Sequence, residues 1–281
     1  MRKLSKPTEK ADATYRLCIS KVRDEVLKKN LESCATVIVK AADEFEKKVI
    51  NAQLHTIVPE KIINGLISKE EMNKVYTSRM VPKTSPGRPL YDKLLSAPPH
   101  GICPLCGQRI VTTIDHHLPK TEYPALSVVP INLVPSCKDC NTIKLDGIPS
   151  SGEEETIHPY FDNIEDDRWL YAEIIRNNPI TLIFKVCPPD HWDKLLSKRV
   201  ENHFETFKLA PLYSAHAAVE LQNMRYMLTS LFEQAGFESV CSTLESLATS
   251  REMQHKNSWQ SAMYRALADS QWFHTEGIQF I

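Results

Sequence analysis

The residues of this chain whose types and spacing could do chemistry lie between Cys103 and Lys144. Two Cys-x-x-Cys pairs, Cys103/Cys106 and Cys137/Cys140, are separated by 30 intervening residues. Each pair forms a knuckle that brings two sulfurs to about 2.3 Å from one ion, and two knuckles complete the tetrahedron that zinc prefers. A site closed by four thiolates leaves no position for water, so Cys103, Cys106, Cys137 and Cys140 are expected to hold a structural Zn²⁺ that joins the two ends of the stretch. Between the knuckles stand Asp115, His116, His117, Pro119 and Asn132, and Asn141 and Lys144 follow the second pair.

Local patterning suggests how these side chains are positioned. Arg109–Ile114 is β-branched and reads as a strand ending at Asp115-His116, Pro130–Val134 reads as a second strand, and Lys138–Leu145 suits a helix. Strand, strand and helix in that order bring Asp115, His116 and Asn141 together. Asp115-His116-x-x-Pro119, Asn132-Leu133 and Cys137-x-x-Cys140-Asn141-x-x-Lys144, flanked by Cys103-x-x-Cys106, resemble an HNH endonuclease with a ββα-metal fold in a zinc-knuckle frame. Asn141 stands where many members have histidine, a variant the family also uses. The resemblance covers residues 103–144.

That resemblance implies an endonuclease hydrolysing phosphodiester bonds to 5′-phosphate and 3′-hydroxyl ends. His116 would be the general base, its unperturbed pKa near 6.5 suiting proton abstraction at neutral pH. Asp115 and Asn141 would offer hard oxygen ligands to one catalytic Mg²⁺ or Mn²⁺. Asn132 would brace the loop that holds His116, and Lys144 would contact substrate phosphate, a solvated helix lysine being the plainer reading. His117, next along the strand, is expected on the opposite face as a packing residue. His158 is a weaker candidate, since a histidine before Pro-Tyr-Phe is more often structural.

Tyr123-Pro124, His158-Pro-Tyr-Phe-Asp162 and Arg199-Val-Glu-Asn-His-Phe204 are also similar to segments of bacterial HNH effectors of anti-phage systems, including those of Septu type that work beside an ATPase. This implies a defence role and a partner protein. DNA is the favoured substrate, with RNA or tRNA as the alternative. The competing class is a non-catalytic zinc module that binds nucleic acid or serves assembly.

Charge is unevenly divided. Residues 1–100 hold 19 Lys+Arg against 12 Asp+Glu, a net +7, and the remainder carries −8, giving −1 overall. A basic front half could lie along a phosphate backbone, although solvated helix faces account for such lysines equally well. The other four cysteines, Cys18, Cys34, Cys187 and Cys241, read as buried thiols. No leader pattern and no apolar run of about 18 residues is present, which points to a cytoplasmic protein without membrane contact, where paired thiolates bind metal.

Eight glycines in 281 residues favour long helices. Residues 1–10 read as a frayed end. One helix is expected from Ala11 to Lys28-Lys29-Asn30 through Tyr15, Ile19, Val22 and Val26. Another carries a heptad stripe, Leu31, Ala35, Ile38, Ala42, Phe45 and Val49, as one side of a helical hairpin. Ser68-x-x-Glu71 has capping-box spacing for a short helix ending near Met80, and Val81–Pro89 reads as a loop whose Lys83 and Arg88 could touch phosphate. A hairpin of Arg168–Ile175 against Ile180–Val186 could extend the sheet of the metal module. Helices follow from Asp190, from Ser214 to a stop at Gly236, from Phe237 and from Trp259. The expected fold class is mainly α with a small α+β module: a central ββα-metal HNH module framed by the four-Cys zinc site and flanked by N- and C-terminal helices. The expected regions are 1–88, N-terminal helical; 89–165, nuclease module; and 166–281, hairpin plus C-terminal helices.

Overall fold

A computed structural model describes residues 1–145 and 147–281. The chain forms two compact units, Met1–Asn163 and Ile164–Ile281, and is mainly helical with small antiparallel sheets. Among the described residues no helix is long and apolar enough to cross a membrane.

In the first unit, α1 (Ala11–Ile19), α2 (Glu25–Ser33) and α3 (Ala35–Val49) precede a two-residue pairing of β1 (Ile62–Ile63) with β2 (Ile67–Ser68). There follow α4 (Lys69–Thr77), α5 (Arg88–Leu95), β3 (Thr113–His116), β4 (Leu133–Ser136) and α6 (Lys138–Lys144). The heptad stripe is the spine of the core: Leu31, Ala35, Ile38, Ala42, Phe45 and Val49 are all buried. Tyr15 of α1 donates its hydroxyl proton to the Leu31 carbonyl at 2.9 Å, tying α1 to α2. The helix expected over residues 11–30 is two helices. Asp24 accepts from the Leu27 N–H at 2.9 Å and starts α2 afresh, a stronger local signal than the apolar spacing, and Val26 faces outward as a result.

Other expectations change in a similar way. The N-terminal residues are docked rather than frayed: Met1 and Leu4 are buried, and the Arg2 and Leu4 N–H groups donate to the carbonyls of Pro104 and Pro159. Ser68 caps α4 as expected, accepting from the Glu71 N–H. The loop expected over residues 81–89 ends early, because Pro89 sits in the first turn of α5, where its missing N–H costs nothing. Cys18 and Cys34 are buried, but Cys187 is exposed and Cys241 half-buried.

In the second unit, β5 (Leu170–Ile175) and β6 (Thr181–Val186) form the expected hairpin, as a two-stranded sheet of its own that does not extend β3–β4. Then come α7 (Lys194–Thr206), α8 (Leu209–Gln254), α9 (Trp259–Ala268) and α10 (Gln271–Thr275). Helix α8 begins before the expected Ser214 and is interrupted at Gly236, whose φ of 78° and ψ of 178° suit only glycine. A straight helix would separate Glu220 from Arg251 by roughly 46 Å. Both nevertheless meet Tyr264, whose hydroxyl donates to Glu220 at 2.6 Å and whose ring lies 5.8 Å from the Arg251 guanidinium. The chain therefore doubles back at Gly236, and α8 is a helical hairpin.

Phe45 is fully buried, with ring centroids of His158, His117 and Phe161 at 5.9, 6.4 and 6.5 Å. Phe45→Ala is expected to lower the stability of the first unit by about 3–5 kcal/mol, measured as a shift of its denaturant midpoint. A shift worth under about 1 kcal/mol would show that this contact is dispensable.

A candidate metal centre and adjoining pocket

The two knuckles are built by their own backbones. In the first, the Gly107 N–H donates to the Cys103 carbonyl (2.8 Å), the Cys103 N–H to the Arg109 carbonyl (2.7 Å) and the Arg109 N–H to Cys106 Sγ (3.4 Å). Gly107 takes φ +64°, the left-handed value this turn requires. In the second, Cys137 is the N-cap of α6 and its Sγ accepts from the Cys140 N–H at 3.4 Å. Arg109 Nε pairs with Asp139 at 2.8 Å and links the knuckles again.

The four sulfurs lie within 4.8 Å of one another, all from buried cysteines that form no disulfide. Tetrahedral zinc with about 2.3 Å bonds needs sulfur separations of about 3.8 Å. The donor set fits: soft sulfurs converge, and two of them already accept the N–H bonds that favour thiolate. The cluster can hold a structural metal such as zinc.

Between the knuckles the strands start later than expected. Residues 109–112 are occupied by the knuckle turn and an Ile102–Ile110 bridge, so β3 begins at Thr113 and includes Asp115 and His116. Residues 130–132 form a 3₁₀ turn, and β4 begins at Leu133. Antiparallel pairing sets Asp115 against Val134 and His116 against Leu133. Helix α6 starts two residues after β4 and runs back to the strand: Asn141 Nδ2 donates to Thr113 Oγ1 at 3.2 Å, leaving its amide oxygen as the group able to bind a cation.

Asp115, His116 and Asn141 line one pocket of about 510 Å³, together with Tyr76, Tyr91, Thr113 and Lys120. His116 Nε2–H donates to the Ser127 carbonyl at 2.9 Å, which leaves the lone pair on Nδ1. The ring stands edge-on to Tyr76 with centroids 4.5 Å apart. Burial pushes its pKa down to about 3, so the imidazole is neutral at physiological pH. Burial also raises the Asp115 carboxyl above the ordinary carboxylate range, and the Lys144 ammonium, 3.3 Å from Oδ2, opposes that rise.

Lys144 is not on the pocket wall. Its side chain is 9% exposed, and Nζ donates to the His116 carbonyl at 2.7 Å besides pairing with Asp115. Asn132 is fully buried; Oδ1 accepts from the Leu118 N–H (2.7 Å), and Nδ2 donates to the carbonyls of Leu118 (3.0 Å) and Leu126 (3.2 Å). It thereby ties both ends of the loop after His116. His117 is buried away from the pocket, its ring 4.3 Å from that of His158. His158 donates from Nε2 to the Ile131 carbonyl and accepts at Nδ1 from the Tyr160 N–H, which makes it part of the core. Tyr76, Tyr91 and Lys120 have no place in the sequence reading. Of the three, Lys120 alone stands next to a motif residue, Pro119.

Over 235 residues the chain is 31% identical to protein ea31 of Escherichia phage lambda, and the alignment covers 78% of each protein. The chain belongs to the ea31 family. No family model and no solved structure matches it.

Cys137→Ser should reduce bound zinc from one ion per chain to a small fraction, measured by elemental analysis, and should melt the β3–β4–α6 region, measured as lost amide protection. A folded variant with its full zinc complement would overturn the structural role of the cluster.

Proposed function

We propose that this chain is a metal-dependent endonuclease of HNH type that hydrolyses phosphodiester bonds in DNA. The supporting observation is a histidine with its tautomer set, His116, in the same pocket as the oxygen ligands Asp115 and Asn141. In-line attack by water on phosphorus breaks the bond to the 3′ oxygen. One proton from the water passes to Nδ1 of His116, and the departing 3′ oxygen takes a proton from solvent, giving 5′-phosphate and 3′-hydroxyl ends. The Ser127 carbonyl keeps the other ring nitrogen protonated, so Nδ1 is the basic atom.

Asp115 and Asn141 would hold a Mg²⁺ or Mn²⁺ ion, which when bound would neutralise charge developing on the phosphate and the leaving oxygen. The residues fit this role. Both present hard oxygens to one pocket, and Asn141's amide nitrogen is already engaged with Thr113. The positive fields of Lys120 and Lys144 add to burial in keeping His116 unprotonated. A phosphodiester anion entering the pocket offsets those fields and makes the imidazole more basic when substrate is present. RNA presents the same bond, and the test therefore includes it.

Purified protein is to be incubated with plasmid, linear DNA and total RNA, each with Mg²⁺, Mn²⁺ or no added metal. Cleavage is expected with a divalent ion, and His116→Ala should reduce it by about 10²–10⁴-fold with zinc content and helicity unchanged. Wild-type rates in His116→Ala, or binding without cleavage under every condition, would overturn the assignment.

A further inference from the structure

Two lysines lie close to the candidate catalytic groups, and the structure gives them different surroundings. We infer that Lys120, rather than Lys144, is the side chain that takes the substrate's phosphate in the pocket, an inference that rests on the nuclease reading above.

Lys144 is already committed. Its ammonium is bonded to the His116 carbonyl at 2.7 Å and pairs with Asp115 at 3.3 Å, with both side chains almost fully buried. Turning it toward a phosphate would leave the Asp115 carboxylate in a low-dielectric site without its cation, an arrangement that strongly disfavours the charged form. It would also undo a tie between α6 and β3. Lys144 is thus a structural counter-ion, its ammonium already engaged by a carboxylate and a carbonyl before substrate arrives.

Lys120 differs in each respect. It is half-buried and lines the pocket beside Asp115, His116 and Asn141, and among the described residues it has no ion pair. The carboxylate on the pocket wall, Asp115, is taken by Lys144, so the Lys120 charge is left uncompensated. Its field reaches the chemistry, acting on both Asp115 and His116.

The position is also held. Lys120 lies in a turn where the Glu122 and Tyr123 N–H groups both donate to the Pro119 carbonyl, at 3.1 and 2.9 Å. Asn132 clamps the chain at Leu118 before the turn and at Leu126 after it. An unpaired ammonium carried on a braced turn at the wall of a pocket of about 510 Å³ suits one non-bridging oxygen of a phosphodiester. A lysine is a point charge that reads no base, so this contact should serve any sequence equally.

The test uses the full zinc-loaded chain and three variants, Lys120→Gln, Lys120→Arg and Lys144→Gln. Binding to a fluorescent oligonucleotide, without added divalent ion, is followed against salt; cleavage is followed with Mg²⁺ or Mn²⁺. One lost phosphate contact lowers the slope of log K against log salt by about 0.7–0.9. Lys120→Gln should show that drop and a 10- to 100-fold lower kcat/KM with unchanged melting and zinc content, and Lys120→Arg should restore most of both. Lys144→Gln should instead lower the melting temperature while the folded fraction keeps the wild-type slope. Wild-type slope and kcat/KM in Lys120→Gln would overturn this inference while leaving the nuclease reading intact. A wild-type chain that neither binds nor cuts nucleic acid would remove the nuclease reading and this inference with it.

Discussion

Four sulfurs drawn within 4.8 Å of one another form the constraint on which the placement of β3 and α6 depends. Thiolates brought together in a buried site repel one another strongly, and a bound cation converts that repulsion into attraction. The arrangement is informative because of what is strung between the pairs. Asp115 and His116 lie on β3, which begins where the first knuckle ends, and Asn141 is the residue directly after Cys140. Holding the sulfurs therefore fixes where β3 starts and how α6 is aimed. The Arg109–Asp139 pair repeats the link at the protein surface, where an ion pair adds little stability but does limit relative rotation.

A second constraint is the shortage of solvent around the charged groups. Asp115 is buried and adjacent to a histidine that burial keeps neutral, so the local charge must be balanced from within the protein. Lys144 supplies that balance and, through the His116 carbonyl, fastens the helix to the strand. In this environment an ammonium held by a carboxylate and a carbonyl is not free to turn toward an incoming anion, whereas an unpaired one is. Sequence distance from the motif cannot distinguish these two cases; partner and exposure do.

What the sequence made legible depends on the range of the interaction. The cysteine pairs were readable because metal geometry is written in their spacing, and the α3 stripe because heptad spacing survives in any environment that buries it. Asn132 was readable as a brace, and its bonds to Leu118 and Leu126 are those of a brace. Strand starts were misplaced by three or four residues. Arg109 closes the knuckle turn and residues 130–132 form a 3₁₀ turn, and neither feature follows from β-branched content. The break at residues 20–24 was missed because one cap at Asp24 outweighs continued apolar spacing. Tyr76 and Tyr91 could not have been found, since each reaches the pocket from a helix far away in sequence.

That last failure concerns how the site works. Helix α6 has seven residues and β3 and β4 four each, too little material to bury a core of their own. The buried cluster of the first unit instead runs continuously from Tyr15 of α1 through the α3 stripe and α4 to Ile114, Leu118 and Leu133. Tyr76 packs edge-on against His116 from one side, while Phe45 fills the space beside His117 and His158. The front helices thus supply part of the wall that buries His116. Burial keeps the imidazole neutral, and a neutral imidazole with its Nε2 proton held by Ser127 is the form able to accept a proton. Part of the burial that sets the protonation state of the candidate base therefore comes from Tyr76, 40 positions before it in the chain, and the motif alone does not determine it.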